Sequence, residues 1–395
     1  MIKATDYIKY LWRKEEYFKS HLKNQTHRIV QRENHKKSRR VIQFISYCII
    51  GFCDYFKLIL FFLILKFSKK PKVDLVFITK NFCIEENGRF EFRIAKEIFE
   101  TAPIIINYSK ELYLNRIGGT KVYNIGFFVR FISILFTYNT DLISRNYLGY
   151  SLVNNSILRY NILIDKIYYY CFYDLNSISI IFSKFRNVLN LVEIQHGSMI
   201  NYPPYSEPAP IKIADIFYVR NLATIEYLKS HINQNFVCEY RLLHYPEKAK
   251  VIKPGLSVLY ASTLELNGFH PVFREFIKSS NSANFGIINL SIRMHPREKG
   301  KEHLFVEDLE GCNVNYWFDN SDNWLNSNAI QNLIVVSPWS SIIEEACDNN
   351  FTCVIIDEIG RNRFDYLIDS YNCYYTGDLD RTLRLIRTKC EKEKG

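Results

Sequence analysis

"NLIVVSPWSSIIEEACDNNFTCVIID" (residues 332–357) decides the architecture of this 395-residue chain. An apolar run at Leu333–Val336 has the length of a buried strand. A Pro-containing turn follows, a helix begins near Ser340, and a second apolar run closes the segment. Short apolar runs that alternate with helices point to a parallel sheet covered on both faces.

The same alternation starts at Val73. Strands are expected at 73–80, 102–109, 188–195 and 214–220, with helices at 91–100, 157–173 and 221–231. A polar stretch containing Tyr245-Pro246 and Lys253-Pro254-Gly255 reads as a domain junction. The pattern restarts with a strand at 257–263, a helix at 270–280, an apolar run at 285–296 and the quoted segment. Four parts are expected: a basic membrane-associating segment (1–72), Rossmann-like domains at 73–250 and 251–377, and a C-terminal helix (378–395). Ligands of such sheets bind beyond the carboxyl ends of the strands.

Composition excludes several classes. Apolar residues make up 48% and Gly plus Pro only 26, so collagen-like and low-complexity chains are out. The ten cysteines are scattered without a CxxC pair, which predicts free buried thiols rather than zinc or a disulfide framework. Residues 1–72 hold 17 Lys/Arg against 5 Asp/Glu, and the remaining 34 and 36 nearly cancel. A chain acting on nucleic acid would carry its positive charge around the site.

In that basic segment, Ile8, Leu11, Trp12, Phe18 and Leu22 recur at helical spacing. "HKKSRR" (35–40) precedes apolar runs at 41–53 and 58–65, which Asp54 and Lys57 separate. The first 40 residues are too polar for a cleavable signal peptide. Two ionisable residues in mid-span cost about 2.5–3.5 kcal/mol each in a bilayer. Broken apolar helices lying in the interface are therefore expected, with a buried helical hairpin of the first domain as the alternative.

Three short motifs carry candidate chemistry. In "VVSPWSSIIEEA" (335–346), Ser340 and Ser341 open a helix whose first-turn N–H groups attract anions, and Glu345 shares a face with Ser341. Taken alone, this is also what a plain Ser N-cap with solvent-facing glutamates looks like. In "SIRMHPRE" (291–298), Pro296 ends a strand at His295, and Arg293 and Arg297 flank it as phosphate donors. In "VEIQHGSMINYPPY" (192–205), Gln195-His196-Gly197 ends the most apolar strand, where His196 can take a proton from a sugar hydroxyl. Glu193 and Asp215 are acids nearby in sequence. "DLD" (378–380) is better explained as a helix N-cap than as a metal site.

In this order, QHG, HP and Ser-Ser followed by Glu-Ala resemble bacterial capsule and lipopolysaccharide glycosyltransferases of the GT-B fold. That group includes sialyltransferases, Kdo transferases and CDP-glycerol-type polymerases. The resemblance covers roughly residues 185–360. It implies an α/β, GT-B-like chain with two Rossmann-like domains facing a cleft and no required metal. It further implies a nucleotide-sugar donor, CMP-linked, held by Arg293, His295, Pro296, Arg297, Ser340, Ser341 and Glu345. Gln195 and Gly197 fall on the side of a glycan or lipid-linked glycan acceptor, with His196 catalytic. Sialyltransferases carry an acidic pair before Gly where this chain has Gln195-His196-Gly197, which is closer to the polymerase and capsule branches. The expected place of action is the cytoplasmic face of the cell membrane. A glycerophosphotransferase, a sugar-nucleotide epimerase and a non-catalytic assembly subunit are the competing functions.

Overall fold

The computed structural model describes residues 37–392 apart from 69–71, 79–82, 87–88, 93–97, 100–102, 109–113, 115, 118, 136–141, 173, 196–198, 244–250, 264–267, 280–287, 296–297, 299, 313, 320–329 and 369–371. The expected helix over 5–24 lies outside these residues. The chain divides into two compact units, Met1–His244 and Tyr245–Gly395.

Among the described residues, the first element is α1 (Lys37–Ser68), one continuous helix of 32 residues. The expected break at Asp54 does not occur, for a local reason. The Asp54 carboxylate turns inward and its Oδ2 accepts the Asn124 N–H at 3.0 Å, while Lys57 Nζ lies 3.6 Å from Oδ1. A buried charge that is paired and hydrogen-bonded no longer argues against a helix. Gly51, Asp54, Leu58, Phe62 and Leu65 form the inward stripe.

The strands of this unit are β1 (Val73–Ile78), the hairpin β2 (Cys83–Glu86) and β3 (Arg89–Phe92), β4 (Ile104–Asn107), β5 (Arg116–Ile117) and β6 (Thr120–Asn124). Then come α2 (Gly126–Leu135), α3 (Leu142–Leu158), β7 (Ile164–Tyr169), α4 (Leu175–Ile181), β8 (Asn190–Ile194), β9 (Ile216–Val219), α5 (Leu222–Ser230) and β10 (Glu239–Leu242). The main sheet runs β10-β9-β8-β7-β1-β4-β6-β5 and is parallel except for the β5–β6 pair. Gly51 of α1 lets the helix close on α2, since a Cβ there would meet Phe128 N at 3.0 Å.

Two segments depart from the structure their sequence pattern predicts. The Tyr/Ile-rich segment 157–173, read as a helix, holds only the last two residues of α3 and then the strand β7 (Ile164–Tyr169) between β1 and β8. Its β-branched and aromatic residues are buried on both faces, which suits a central parallel strand. The helix expected at 91–100 begins instead as the end of hairpin strand β3; 93–97 lie outside the described residues.

The second unit contains β11 (Val251–Ala261), α6 (Pro271–Ser279), β12 (Ile288–Arg293), α7 (His303–Leu309), β13 (Val314–Phe318) and β14 (Ile330–Ser337). It continues with α8 (Ile342–Asp348), β15 (Thr352–Ile355), α9 (Glu358–Arg363), β16 (Cys373–Tyr375) and α10 (Leu379–Lys392). Its sheet is wholly parallel, in the order β13-β12-β11-β14-β15-β16. Alternate residues of each strand feed two cores: Val258, Tyr260 and Val336 one, Leu259, Val335 and Ile355 the other. Lys253-Pro254-Gly255, read as part of the junction, lie within β11. They occupy a register irregularity, where Ile252 pairs with Gln331 but Ser257 with Leu333. The bulge accommodates a Pro that cannot donate to the ladder.

Both sheets share one topological property. The chain builds outward from a first strand, β1 or β11, and then crosses back to build on its other side. The switch points lie between β1 and β7 and between β11 and β14. Crevices at such points are where open α/β sheets take ligands.

Candidate functional site

At the switch point of the second unit, the carboxyl ends of β12, β11 and β14 lie side by side, and a hydrogen-bond chain joins them. The Ser262 N–H donates to Arg293 O at 2.9 Å. His295 N–H donates to Ser262 Oγ at 2.8 Å and to Glu298 Oε2 at 3.0 Å. Ser262 Oγ in turn donates to Glu298 Oε2. Glu298 is buried, and its own N–H closes the turn on His295 O at 2.7 Å. On the other side, Ser337 Oγ donates to Ala261 O at 2.8 Å and accepts the Ser340 N–H at 3.0 Å. His295 and Ser340 are thus fixed to the two flanks of β11.

The sequence identified His295, Ser340 and Ser341, and the structure brings all three to this edge. It missed Ser262, Thr263, Glu298 and Ser337. Thr263, two residues past the end of β11, has its hydroxyl buried and without a hydrogen-bond partner among the described residues. An orphaned hydroxyl of this kind costs about 1–3 kcal/mol, so its place at a ligand edge is informative. The available signal was "AST" (261–263), small hydroxylated residues where an apolar strand stops.

The Ser-Ser segment is less of a helix-end site than its sequence implied. Helix α8 starts at Ile342 and has seven residues. Ser341 is already in helical conformation and makes no capping bond, and Ser340 Oγ accepts Ile342 N–H at a long 3.4 Å. The turn is braced from below by α9: Arg363 donates to Trp339 O at 3.3 Å, and a Cβ on Gly360 would lie 1.8 Å from Pro338 O. Of the adjacent acids, Glu344 is fully buried, while Glu345 is half-buried on α8.

Arg293 is the site residue whose placement differs most from expectation. Its guanidinium pairs with the buried carboxylate of Asp319 at 3.0 Å, just beyond β13. Part of the charge assigned to phosphate is therefore matched within the protein. Pro296 and Arg297 lie outside the described residues. Asp378 of the "DLD" stretch caps α10, accepting the Arg381 N–H at 3.0 Å, and Asp380 pairs with Arg384 at 2.7 Å.

In the first unit, β8 ends at Ile194 and Gln195 follows, buried. Its N–H donates to Tyr218 O at 2.9 Å and its Oε1 accepts the Arg220 N–H at 2.8 Å, extending the β8–β9 ladder by one side chain. His196 and Gly197 lie outside the described residues. Glu193 is wholly buried beside this edge. Its Oε1 accepts Phe172 N–H at 3.0 Å and the Tyr205 hydroxyl, and Oε2 has no partner among the described residues. Burial raises its pKa to about 7, against the lowering effect of those two bonds. Burial likewise raises Asp174, at the start of α4, to about 7.

Asp215 lies at the opposite, amino end of its strand, before Ile216. Burial pushes its pKa up, but the Leu191 N–H, Lys212 at 2.8 Å and Arg186 at 3.1 Å outweigh that and hold it below the usual range. It has the surroundings of a structural anchor. Backbone strain marks the switch point of this unit, where Cys171 adopts φ 53° just after β7. The described cysteines are free, with Cys171, Cys347, Cys353 and Cys373 buried.

No family model matches this chain, and no curated protein sequence matches it. Among solved structures it is similar to the S. aureus MnaA–UDP complex, at 11% identity and TM-score 0.42, over 73% of this chain and 80% of that one. It is also similar to Acinetobacter baumannii MurG, at 8% identity and TM-score 0.44, over 80% and 90%. The apo form of the lipopolysaccharide outer core galactosyltransferase WaaB is similar at 12% identity and TM-score 0.41, over 77% and 86%.

Proposed function

We propose that the chain is a glycosyltransferase that moves a sugar from a nucleotide-activated donor, CMP-linked, to a bacterial surface glycan or its lipid-linked precursor. The observation that supports this reading is the convergence of His295, Ser340, Ser341 and the unpartnered Thr263 hydroxyl on the switch point between β11 and β14. Hydroxyl and imidazole side chains gathered where a parallel sheet takes its ligands suit a nucleotide phosphate. Bond cleavage to the sugar leaves charge on that phosphate, and donors held in place beforehand lower the barrier without reorganising. Glu298 is the positioning residue, because its carboxylate ties the His295 turn to Ser262.

On the acceptor side, His196 is proposed to take the proton from the attacking hydroxyl, and Gln195 to hold the strand end beneath it. No step of this reading needs a resident metal. The reaction is placed at the cytoplasmic face of the cell membrane. The Gln195-His196-Gly197 motif also suits a CDP-glycerol-type phosphotransferase. Phosphorus in the polymeric product would establish that alternative, and its absence the sugar transfer.

The test is a thermal-shift panel with CMP, CDP, UDP and GDP. A nucleotide at about 100 times its dissociation constant adds roughly 2.7 kcal/mol of stability. Stabilisation by CMP that disappears in Ser341→Ala and in His295→Ala is the expected result. Stabilisation by UDP alone redirects the reading to a hexose donor or an epimerase. If no nucleotide stabilises the protein, the transferase reading fails.

A further inference from the structure

We infer that the outward face of α1 is a docking surface for an anionic lipid bilayer, on which the helix lies in the plane of the interface. This deepens the membrane placement proposed above and is independent of the transfer chemistry.

Ile49, Phe52, Phe56, Leu60, Ile64 and Phe67 are all exposed, Phe67 at 82%. Their spacing of three and four residues puts them on one stripe, diametrically opposite the inward stripe. Helix α2, which packs on α1 through Phe128 against Phe52 and Tyr55, exposes Phe131, Ile134 and Leu135 in turn. So much apolar side chain facing water has a function or a cost.

Charge identifies the occupant. Residues 37–72 contain eight Lys/Arg and a single acid, Asp54, and Asp54 is turned inward onto Asn124. The outward stripe therefore carries no negative charge. Lys66 lies at its end, exposed and long enough to keep its ammonium group among head groups while Phe67 enters the acyl boundary; Lys57 borders the stripe, exposed, with its ammonium 3.6 Å from Asp54. An apolar protein partner would not require a helix with this excess of cations.

Cys48–Ser68 is long and apolar enough to cross a bilayer. Its other face forbids that: Gly51, Leu58, Phe62 and Leu65 are buried in the first unit, and Asp54 is bonded to the end of β6. Crossing would strip α1 from the sheet it covers and leave Asp54 in hydrocarbon.

The experiment floats the full-length protein, without donor or acceptor, on vesicles of phosphatidylcholine with 30% phosphatidylglycerol and on phosphatidylcholine alone. Strong preference for the anionic vesicles is expected. Phe56→Ser with Phe67→Ser should weaken binding about a hundredfold, roughly tenfold for each lost phenyl group, with unchanged nucleotide response and unfolding temperature. Cys53, exposed on the same stripe, should react with a membrane-impermeant maleimide in solution and be protected on vesicles. Bound protein should transfer to added vesicles, as surface residence requires.

Binding that ignores lipid charge or survives the double substitution would overturn the proposal. So would failure to transfer, which means a spanning helix. A Cys53 shielded in vesicle-free protein would overturn it too; the molecular mass would then tell a second copy from residues 1–36 as the cover. None of these outcomes touches the nucleotide panel, so the two readings fail separately.

Discussion

Glu298→Ala tests the construction of the proposed nucleotide edge. The carboxylate is buried and accepts from two donors, Ser262 Oγ and His295 N–H. A bond to a charged acceptor is worth about 1.5–3 kcal/mol, so its removal in isolation would cost about 3–6. The lower end applies, because His295 N–H retains Ser262 Oγ at 2.8 Å and only the Ser262 hydroxyl loses its acceptor. A loss of about 3 kcal/mol lowers the unfolding temperature of a unit this size by roughly 6–12 °C. Glu298→Gln keeps an acceptor oxygen in the same place and should lose only a third of that. The assay is thermal unfolding with and without the stabilising nucleotide. Alanine should remove most of the nucleotide response along with the stability, whereas glutamine should retain it. If Glu298→Ala unfolds at the parent temperature with an undiminished response, the carboxylate does not hold the His295 turn.

Other outcomes follow from the same geometry. Gly360→Ala forces a methyl to within 1.8 Å of Pro338 O and 2.7 Å of Ile355 Cγ2. The urea midpoint should fall by the equivalent of about 1–3 kcal/mol as the Ser337–Ser341 turn is displaced; an unmoved midpoint refutes that packing. Glu193 keeps its proton in the folded chain up to about pH 7, whereas an unfolded glutamate releases it near 4.5. Its effect is therefore nil below pH 4.5 and destabilising as pH rises to 7, by about 3 kcal/mol in total. Glu193→Gln should be more stable than the parent at pH 8 and match it at pH 4, as urea unfolding at the two values will show. His196→Ala should cut turnover by about 10²–10⁴ while leaving nucleotide stabilisation intact; near-parental turnover ends its role as base.

The alternation of strand and helix was legible because parallel strands buried on both faces leave an unmistakable apolar run, as at Leu333–Val336. The same rule explains the failure at 157–173. "IDKIYY" is too rich in large apolar groups to show a two-residue period, and a buried strand and a buried helix then look alike. Asp54 misled in the other direction, since its partner Asn124 is 70 residues away. His295 and the serines were legible as polar residues just where apolar runs stop. Glu298 was in view in "HPRE" yet silent, because only the fold shows it reaching back to β11. Arg293 looked like a phosphate donor for the same reason: Asp319, 26 residues on, is invisible from its neighbourhood.

The two sheets share no strand, and β11 pairs only with β12 and β14 of its own unit. Among the described residues, no ladder of hydrogen bonds joins a strand before residue 244 to one after residue 250. Each sheet is thus complete within its own unit, and its hydrogen-bond ladders draw on one stretch of the chain alone. If the proposed nucleotide edge and the proposed lipid-facing helix are as inferred, they rest on different sheets, and substitutions in the strands of one leave the ladders of the other intact.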